Sequence, residues 1–337
     1  MYHLHCKGTH YQMGYQYGSS LFTRKKYILD RIPFAITPQR IDFAKACLPF
    51  YKEWFPAVLD EIHGIADGQH CPFELLAGLL FSMYCFVPEV HCSCFAIRNA
   101  GNVIFGRNSD FYTSIEKRNT NCLYHFSDTG YAFCGNTTAF VEMEDGVNQY
   151  GLAIGLTSVY PAVLQPGLNA GMILRLILET CTSVSQAIEL IYRLPIASSQ
   201  TFVLADSREI ALVESNAERI EILRPAQANA WVCSTNVFHL PAMQPYHHAL
   251  EDNWQAEERY QTMCDTLFHC KESFTVQNAM NLLAGQDGFL CQYDRKTGRD
   301  TVWSMVCDLS HKKLYRVEGN PSRKAFREDC RFVLAPR

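Results

Sequence analysis

A cysteine, an arginine and an aspartate are spaced in this sequence so that a β-hairpin could bring them together. Cys92 begins the short apolar run 92–97, and a turn separates it from the run 103–110, which contains Arg107 and ends at Asp110. Paired antiparallel strands would return Arg107 and Asp110 towards Cys92. A neighbouring cation lowers the pKa of a thiol, and a carboxylate can orient an amine in the same pocket. The spacing therefore indicates a nucleophilic cysteine.

Two other roles for Cys92 stay open from spacing alone. The chain has 15 cysteines, and a cysteine in a large chain is usually a small buried core residue. A zinc site is the second alternative, because His91, Cys92 and Cys94 lie close together. No second Cys-x-x-Cys or His-x-x-x-His pair accompanies them, and neighbouring residues of a strand point to opposite faces, so we predict no metal.

A cysteine nucleophile needs a base, and none of the 12 histidines has a sequence context typical of a papain-like base. A base without histidine is available if the bond between His91 and Cys92 is cut. Cys92 would then carry an α-amine with a pKa of about 7.7 to 8.0, which can take the thiol proton at neutral pH. The residues before Cys92 would form a pro-segment.

Composition excludes several classes of function. The chain has 337 residues, of which 48% are hydrophobic, and a net charge of −4 without dense basic runs. These values predict a soluble globular protein that binds neither nucleic acid nor a membrane surface. No signal-peptide pattern and no long apolar segment is present, so we expect a cytoplasmic location.

The order of predicted elements indicates a layered α+β domain. The first ninety residues are mainly helical, with a helical pattern over 40–66 that Pro56 interrupts. Short β-prone runs follow, including one at 138–143, and residues 145–152 are predicted to form a turn into a strand. Two helices, four strands, two more helices and a final hairpin complete the chain, which predicts sheets covered by helices.

The hairpin motif resembles the start of the mature chain in one group of enzymes. Cys92-Ser93-Cys94-Phe95-Ala96, followed by Gly106-Arg107-Asn108-Ser109-Asp110-Phe111, is similar to choloylglycine hydrolases and penicillin V acylases, which are N-terminal nucleophile (Ntn) hydrolases. With ninety residues ahead of the cysteine, the whole chain resembles the acyl-coenzyme A:6-aminopenicillanic acid acyltransferase family more closely. Further motifs occur in the family's order: Gly8-x5-Gly14-x3-Gly18, Gly146-Val147-Asn148-x-x-Gly151-Leu152, Thr235-Asn236-Val237-Phe238, Arg259 and Thr301-x-Trp303-Ser304-Met305-Val306-x-Asp308.

This resemblance implies a fold and a domain boundary. The expected fold is the four-layer αββα sandwich of Ntn hydrolases, in residues 92–337, after a mainly helical pro-segment in residues 1–91. No cofactor and no metal are expected. The expected partner is a small N-acyl amide substrate, with acyl-CoA as an alternative acyl donor, and the chain is expected to form a homo-oligomer.

The resemblance also assigns catalytic roles. Cys92 would be the nucleophile, Asp110 would hold its α-amine, and Arg107 would favour the thiolate and contact substrate. The Asn236 side-chain amide and the Thr157 backbone N–H would stabilise the oxyanion, and Arg259 would support the pocket.

Each of these residues also has an ordinary structural interpretation. Arg107 and Asp110 could form a surface ion pair, Asn236 could be a turn residue, Thr157 a β-branched strand residue and Arg259 a solvated charge.

The predicted reaction is hydrolysis of a linear amide, or transfer of its acyl group to another amine, through a thioester on Cys92 after autocatalytic cleavage. Hydrolysis of conjugated bile acids or penicillin V is the alternative within this class. The alternative from another class is an uncleaved, catalytically silent binding or redox protein on the same scaffold.

Overall fold

The structure is a computed structural model that describes residues 1–32, 34–86, 91–99, 101–247 and 253–334. The α-helices are α1 His10–Thr23, α2 Pro38–Trp54, α3 Pro56–Gln69, α4 Phe73–Phe81, α5 Ala170–Thr180, α6 Val184–Arg193, α7 Ala256–Cys270 and α8 Val276–Leu283. The strands are β1 Tyr2–Gly8, β2 His91–Asn99, β3 Asn102–Tyr112, β4 Thr120–Phe126, β5 Phe133–Thr137, β6 Asp145–Asn148, β7 Ala153–Ser158, β8 Gln200–Ala205, β9 Ile210–Ser215, β10 Ile220–Leu223, β11 Ala230–Ser234, β12 Arg299–Asp308, β13 Lys313–Glu318 and β14 Arg327–Glu328.

Helix boundaries follow from local capping chemistry. Thr9 and Gln12 form a capping box at the start of α1, so that two backbone N–H groups are satisfied by side chains. Ser183 accepts a hydrogen bond from the Gln186 N–H and caps the start of α6. Pro56 occupies the first turn of α3, where a missing N–H costs nothing, and thereby separates α2 from α3.

Two sheets form the centre of the molecule. One has eight strands in the order β1-β4-β5-β6-β7-β8-β9-β10, and the other has six in the order β11-β2-β3-β12-β13-β14. Apolar side chains of both sheets, such as Phe105 and Val203, meet in a buried layer between them. A second buried cluster joins the eight-stranded sheet to α1–α6, and a third joins the six-stranded sheet to α7 and α8. The order is therefore helices, sheet, sheet, helices.

The N-terminal residues are built into this architecture. β1 extends the eight-stranded sheet by pairing in parallel with β4, whereas the other strand pairs of the described residues are antiparallel. Helix α1 packs closely on α3, because Gly14 and Gly64 have no side chains at the contact. A Cβ added to Gly14 would lie 2.0 Å from the Glu61 carbonyl oxygen, and one added to Gly64 would lie 2.2 Å from the Tyr11 carbonyl oxygen. The Gly14-x3-Gly18 motif thus serves helix packing.

A buried charged network also ties α1 and α3 to the rest of the chain. The His10 ring lies 2.9 Å from Asp128 and 3.0 Å from Glu179. Arg175 of α5 bridges Glu179 and Glu61, at 2.5 Å each. Because buried charges are stable only when they are paired, this network fixes the position of the N-terminal helices.

Two predicted elements are wrong. Residues 138–143 form a bend and not a strand, because Phe140 adopts a left-handed conformation with φ +60° and Thr138 turns to hydrogen-bond Glu144. Residues 145–148, predicted as part of a turn, form β6 in the interior of the eight-stranded sheet. The turn itself is confined to the residues just after β6.

In the part of the chain that the structure describes, no helix combines the length and the apolar character needed to cross a bilayer.

Candidate active site

The predicted hairpin is confirmed and brings Arg107 to Cys92. β2 pairs with β3 so that Cys92 lies opposite Ser109 and Cys94 opposite Arg107. The Arg107 side chain runs back along the sheet, and its Nη2 donates a hydrogen bond to Cys92 Sγ at 2.8 Å. Both side chains are fully buried. The surface ion pair that the sequence left open is therefore excluded for Arg107.

Arg107 is held by acceptors from the facing sheet. Its Nη1 donates to Asp145 Oδ2 at 2.7 Å, its Nη2 lies 3.5 Å from Glu144 Oε2, and its Nε and Nη2 donate to the Leu156 carbonyl. Burial opposes the charge of Arg107, but the neighbouring thiol and carboxylates raise its pKa above the ordinary value. A fixed cation thus faces the sulfur of Cys92.

Gly155 on β7 allows Arg107 to cross between the sheets. A Cβ at this position would lie 2.6 Å from Cys94 Sγ and 2.9 Å from Arg107 Cδ. The absence of a side chain at Gly155 thus leaves room for Arg107 beside Cys92.

The thiol of Cys92 is protonated in the intact chain. Burial raises its pKa to about 12, the Arg107 charge opposes this shift, and Glu144 and Asp110 add to it. Because the thiolate is the nucleophile, the intact site is weakly reactive at neutral pH.

Asn236 and Arg259 hold the backbone of Cys92 on both sides of its Cα. The Cys92 N–H donates to Asn236 Oδ1 at 3.0 Å, and Arg259 Nη1 donates to the Cys92 carbonyl oxygen at 2.6 Å. Arg259 also donates to Asn236 Oδ1 at 3.0 Å and to Ser93 Oγ at 2.9 Å. Arg259 lies on α7 but is fully buried, so the solvated charge that the sequence left open is excluded.

Asp110 lies at the same end of the hairpin, opposite His91 in the β2–β3 register. Its carboxylate accepts hydrogen bonds from Thr301 Oγ1 at 2.6 Å and Tyr293 Oη at 3.0 Å, and it lies 3.7 Å from Arg259 Nη1. Burial raises the pKa of Asp110 to about 6, against the effect of Arg259 and these donors. Asp110 can therefore change its charge near neutral pH.

Thr157 lies near the site without contacting Cys92 through its N–H. Its hydroxyl donates to the Thr235 carbonyl, next to Asn236, and contacts Thr201 Oγ1 at 2.6 Å. The Val159 N–H donates to the Ser199 carbonyl. In an antiparallel ladder every second residue of a strand forms such a hydrogen-bonded pair, so the N–H of Thr157, two residues earlier, also points to β8. The oxyanion role of this N–H stays a prediction and would require that ladder bond to open.

Three residues that bind the predicted groups were not identified from the sequence: Glu144, Asp145 and Tyr293. Thr301 begins a motif of the family resemblance but was given no role there. The acidic stretch around Glu144 and Asp145 between apolar residues was the available signal, because buried carboxylates need a cation. The prediction of a turn at 145–152 concealed it.

His91, on the other side of the predicted cleavage point, is also enclosed. Its ring stacks on Trp254 with the ring centroids 4.4 Å apart, and it is 7% exposed. In the described ranges, no group of three or more His, Cys, Asp or Glu side chains could hold a metal ion. The chemistry of the site is that of one sulfur, two guanidinium groups, carboxylates and an amide.

A family model matches this sequence. It is described as acyl-coenzyme A:6-aminopenicillanic acid acyl-transferase and covers residues 97–323. The match begins five residues after Cys92 and contains the other predicted site residues. No curated protein sequence matches the chain.

Solved structures share the fold at low sequence identity. A variant of conjugated bile acid hydrolase from Clostridium perfringens is 14% identical, with coverage of 71% of this chain and 92% of the other and a TM-score of 0.52. An N-acylethanolamine-hydrolyzing acid amidase ortholog from Caenorhabditis elegans is 14% identical, with coverage of 65% and 93% and a TM-score of 0.49. Penicillin V acylase from Agrobacterium tumefaciens is 15% identical, with coverage of 67% and 82% and a TM-score of 0.48. The predicted αββα Ntn sandwich is confirmed.

Proposed function

Because this chain belongs to the acyl-coenzyme A:6-aminopenicillanic acid acyl-transferase family, we propose that it cleaves linear amides, or transfers their acyl group to another amine, through a thioester on Cys92. The observation that carries this proposal is the 2.8 Å hydrogen bond from Arg107 to the Cys92 sulfur in a fully buried site. An ordinary core cysteine has no such cation directed at it.

The first step in this proposal is cleavage of the chain itself. Cys92 Sγ attacks the carbonyl carbon of His91, the C–N bond to Cys92 breaks, and the nitrogen takes up the thiol proton as it becomes an amine. The resulting thioester between His91 and Cys92 is hydrolysed by water, which leaves a carboxylate on His91 and a free thiol on Cys92. Cys92 is then the N-terminal residue of the catalytic chain.

Turnover uses the new amine as the base. The amine takes the thiol proton, the thiolate attacks the carbonyl carbon of the substrate amide, and the Asn236 amide donates to the oxyanion. The leaving amine receives the proton, and an acyl thioester remains on Cys92. Water completes hydrolysis, whereas an acceptor amine completes transfer.

Two buried groups position the nucleophile in this mechanism. Arg259 holds the Cys92 carbonyl at 2.6 Å and also binds Asn236, so one guanidinium aligns both the nucleophile and the oxyanion donor. Asp110 would neutralise the protonated amine during turnover, and its elevated pKa links activity to pH.

Cleavage is tested by the mass of the purified chain. The intact chain of 38.4 kDa should give fragments of about 10 and about 28 kDa, in proportion to residue number. Cys92→Ala should remain whole. Cys94→Ala is the matched control, because Cys94 is equally buried two residues further along the same strand. An intact wild-type chain, or a cut Cys92→Ala chain, would contradict the proposal.

The reaction is tested with the cut protein. N-acyl amino acids, conjugated bile salts and penicillin V should be incubated with it, with and without an acceptor amine, and the acyl-enzyme should be trapped and located by mass spectrometry. The acyl group should be attached at Cys92. Labelling of Cys92 no faster than the other thiols, together with no amide turnover, would favour the silent scaffold instead.

A further inference from the structure

A cavity of about 570 Å³ lies between the N-terminal residues and the rest of the chain. Its walls come from β1, α1, the connection after α1 and the end of α4 on one side. On the other side they come from residues 111–120, which join β3 to β4, and from the bend at 138–140. This volume is in the range of small-molecule binding sites, about 300 to 1,000 Å³.

The interior of the cavity is apolar. Met13, Tyr17, Leu79, Phe111 and Phe140 are among the side chains that line it. Phe111 is 7% exposed and Met13 is 2% exposed, so both belong to the packed core around the cavity. Such walls favour a hydrocarbon chain over a polar ligand, because each polar group placed there would lose its hydrogen bonds to water.

The rim of the cavity is cationic. Arg24, Lys26, Arg31 and Arg118 line it, and none of its lining residues is an Asp or Glu. Within the described ranges, none of these four cations forms a salt bridge with a carboxylate; Asp30 is in the same short 3₁₀ helix as Arg31 but does not line the cavity. Their contacts are with neutral oxygens, for example Lys26 Nζ with Tyr2 Oη at 3.0 Å. Four cations without counter-ions indicate an anionic ligand group.

The cavity is connected to Cys92 by a chain of three side-chain contacts, and none of the proposed catalytic residues lines it. Thr138 lines the cavity, and its hydroxyl donates to Glu144 at 2.7 Å; Glu144 in turn contacts Arg107, which holds the Cys92 sulfur. Tyr2 pairs with Thr120, which pairs with Thr137. Tyr2, which Lys26 contacts at the cationic rim, is thus two strand spacings, about 10 Å, from Thr137, the neighbour of Thr138 on the catalytic side of the cavity.

We propose that this cavity binds a linear amphiphile, with its hydrocarbon segment between the apolar walls and a carboxylate at the cationic rim. The N-terminal residues would therefore remain part of the substrate site after cleavage, and would set the chain length and charge of the substrate. This assignment rests on the proposed function for its catalytic use, but ligand binding itself does not require turnover.

Binding is tested with the full-length Cys92→Ala protein, which cannot react. Calorimetric titration with octanoate, decanoate and dodecanoate should give affinities that rise by up to about fourfold per methylene, since each buried methylene contributes about 0.8 kcal/mol. The alcohols of the same length should bind at least fivefold more weakly. Carboxylates that bind no better than these alcohols, or no binding at all, would overturn the proposal.

Two charge variants locate the carboxylate. Arg31→Gln should weaken carboxylate binding at least fivefold and leave alcohol binding unchanged, because the Arg31 side chain has no hydrogen bond within the described ranges that its loss would break. Lys25→Gln is the control, since Lys25 is an exposed neighbour of Lys26 that does not line the cavity. An equal loss in Lys25→Gln would show a general charge effect and contradict the assignment.

A bulky substitution tests the cavity itself. Gln16 is an exposed residue of α1 that lines the cavity, and Gln16→Trp should abolish or weaken binding of both carboxylates and alcohols. Gln277→Trp makes the same change on an exposed position of α8 and should bind normally, and equal thermal unfolding midpoints would exclude misfolding. Unchanged binding by Gln16→Trp would overturn the location.

The cut enzyme shows which side of the amide carries the carboxylate. N-dodecanoylglycine has it on the amine side, and the amide of a dicarboxylic acid has it at the far end of the acyl chain. Because the rim lies about 10 Å from the catalytic side of the cavity, Arg31→Gln should raise KM at least fivefold with kcat unchanged for the dicarboxylic amide, and should leave KM for N-dodecanoylglycine unchanged. Absence of turnover would bear on the proposed reaction, whereas turnover of the dicarboxylic amide with an unchanged KM would overturn the role of the rim.

Discussion

Asn236 offers the sharpest test of the catalytic assignment. Its Oδ1 accepts from the Cys92 N–H and from Arg259, both at 3.0 Å, and its Nδ2 donates to the Ser158 carbonyl at 2.9 Å. In the proposed mechanism the Asn236 amide nitrogen donates to the oxyanion next to Cys92. Asn236→Ala removes this donor together with the acceptor for Cys92.

The expected loss can be estimated from these contacts. Removal of one oxyanion donor lowers kcat by about 100- to 1,000-fold, or about 2.7 to 4 kcal/mol of transition-state stabilisation. The same change leaves the Cys92 N–H and one Arg259 N–H without their acceptor, which should lower the free energy of unfolding by about 1 to 3 kcal/mol. Because the Cys92 nitrogen is also held by Asn236, self-cleavage should slow as well.

The control is Asn108→Ala. Asn108 is also fully buried, and its side chain also makes hydrogen bonds, to the Leu283 carbonyl at 2.9 Å and from Ser304 Oγ at 2.6 Å, but none to Cys92. Both variants should lose comparable stability in urea titrations, while only Asn236→Ala should lose kcat on an amide that the wild type hydrolyses. A kcat within threefold of wild type for Asn236→Ala, or an equal loss for Asn108→Ala, would refute the role given to Asn236.

Four further changes test the site and its framework. Arg107→Met should lower the free energy of unfolding by about 3 to 5 kcal/mol in urea titrations, because it leaves buried carboxylates unpaired, and adding Asp145→Asn should recover part of that loss. The rate of amide hydrolysis should fall as pH decreases and the Cys92 amine takes up a proton, and Asp110→Asn should move this decrease in the pH–rate profile to lower pH, because it removes the carboxylate that stabilises the protonated amine. Burial disfavours the charged form of His10, but the hydrogen bond to Glu179 raises the pKa of His10 above 6.5. The stabilisation by protonated His10 is therefore complete below about pH 6.5 and is lost as pH rises through the folded-state pKa. The stability difference between wild type and His10→Gln, measured by urea titration, should be larger at pH 6 than at pH 8. Gly14→Ala should lower the thermal unfolding midpoint, since its Cβ would overlap the backbone of α3, and an unchanged midpoint would contradict this packing.

Local patterns were sufficient to predict much of the fold. The predicted order of two helices, four strands, two more helices and a final hairpin is that of α5 to β13, and Pro56 divides α2 from α3 as expected. The bend at 138–143 could not be predicted in this way, because its Thr, Val and aromatic residues favour strands. Its conformation depends on the buried carboxylate of Glu144, which accepts hydrogen bonds from Thr138, six residues earlier in the chain.

The candidate site was predictable only in part, for a similar reason. Cys92 and Arg107 lie on one hairpin, so spacing alone places them together. Asn236 and Arg259 come from a loop and a helix far along the chain, and only the family resemblance related them to Cys92. The contacts of Arg107 with Asp145 cross from one sheet to the other, and no local pattern encodes which carboxylate will face a given arginine.

The geometry also indicates what cleavage of the chain would change. Because burial raises the pKa of the Cys92 thiol to about 12, the protonated form predominates at pH 7 in the intact chain. Arg107 and Arg259 already occupy their positions, so cleavage need not move them. It would instead convert the Cys92 nitrogen from an amide, which can only donate to Asn236, into an amine that can donate to the same oxygen and also accept the thiol proton. Since Arg259 holds the Cys92 carbonyl, the new N-terminus would stay in place. On this argument the intact chain already holds Cys92, Arg107 and Arg259 in their positions, and cleavage would supply the base.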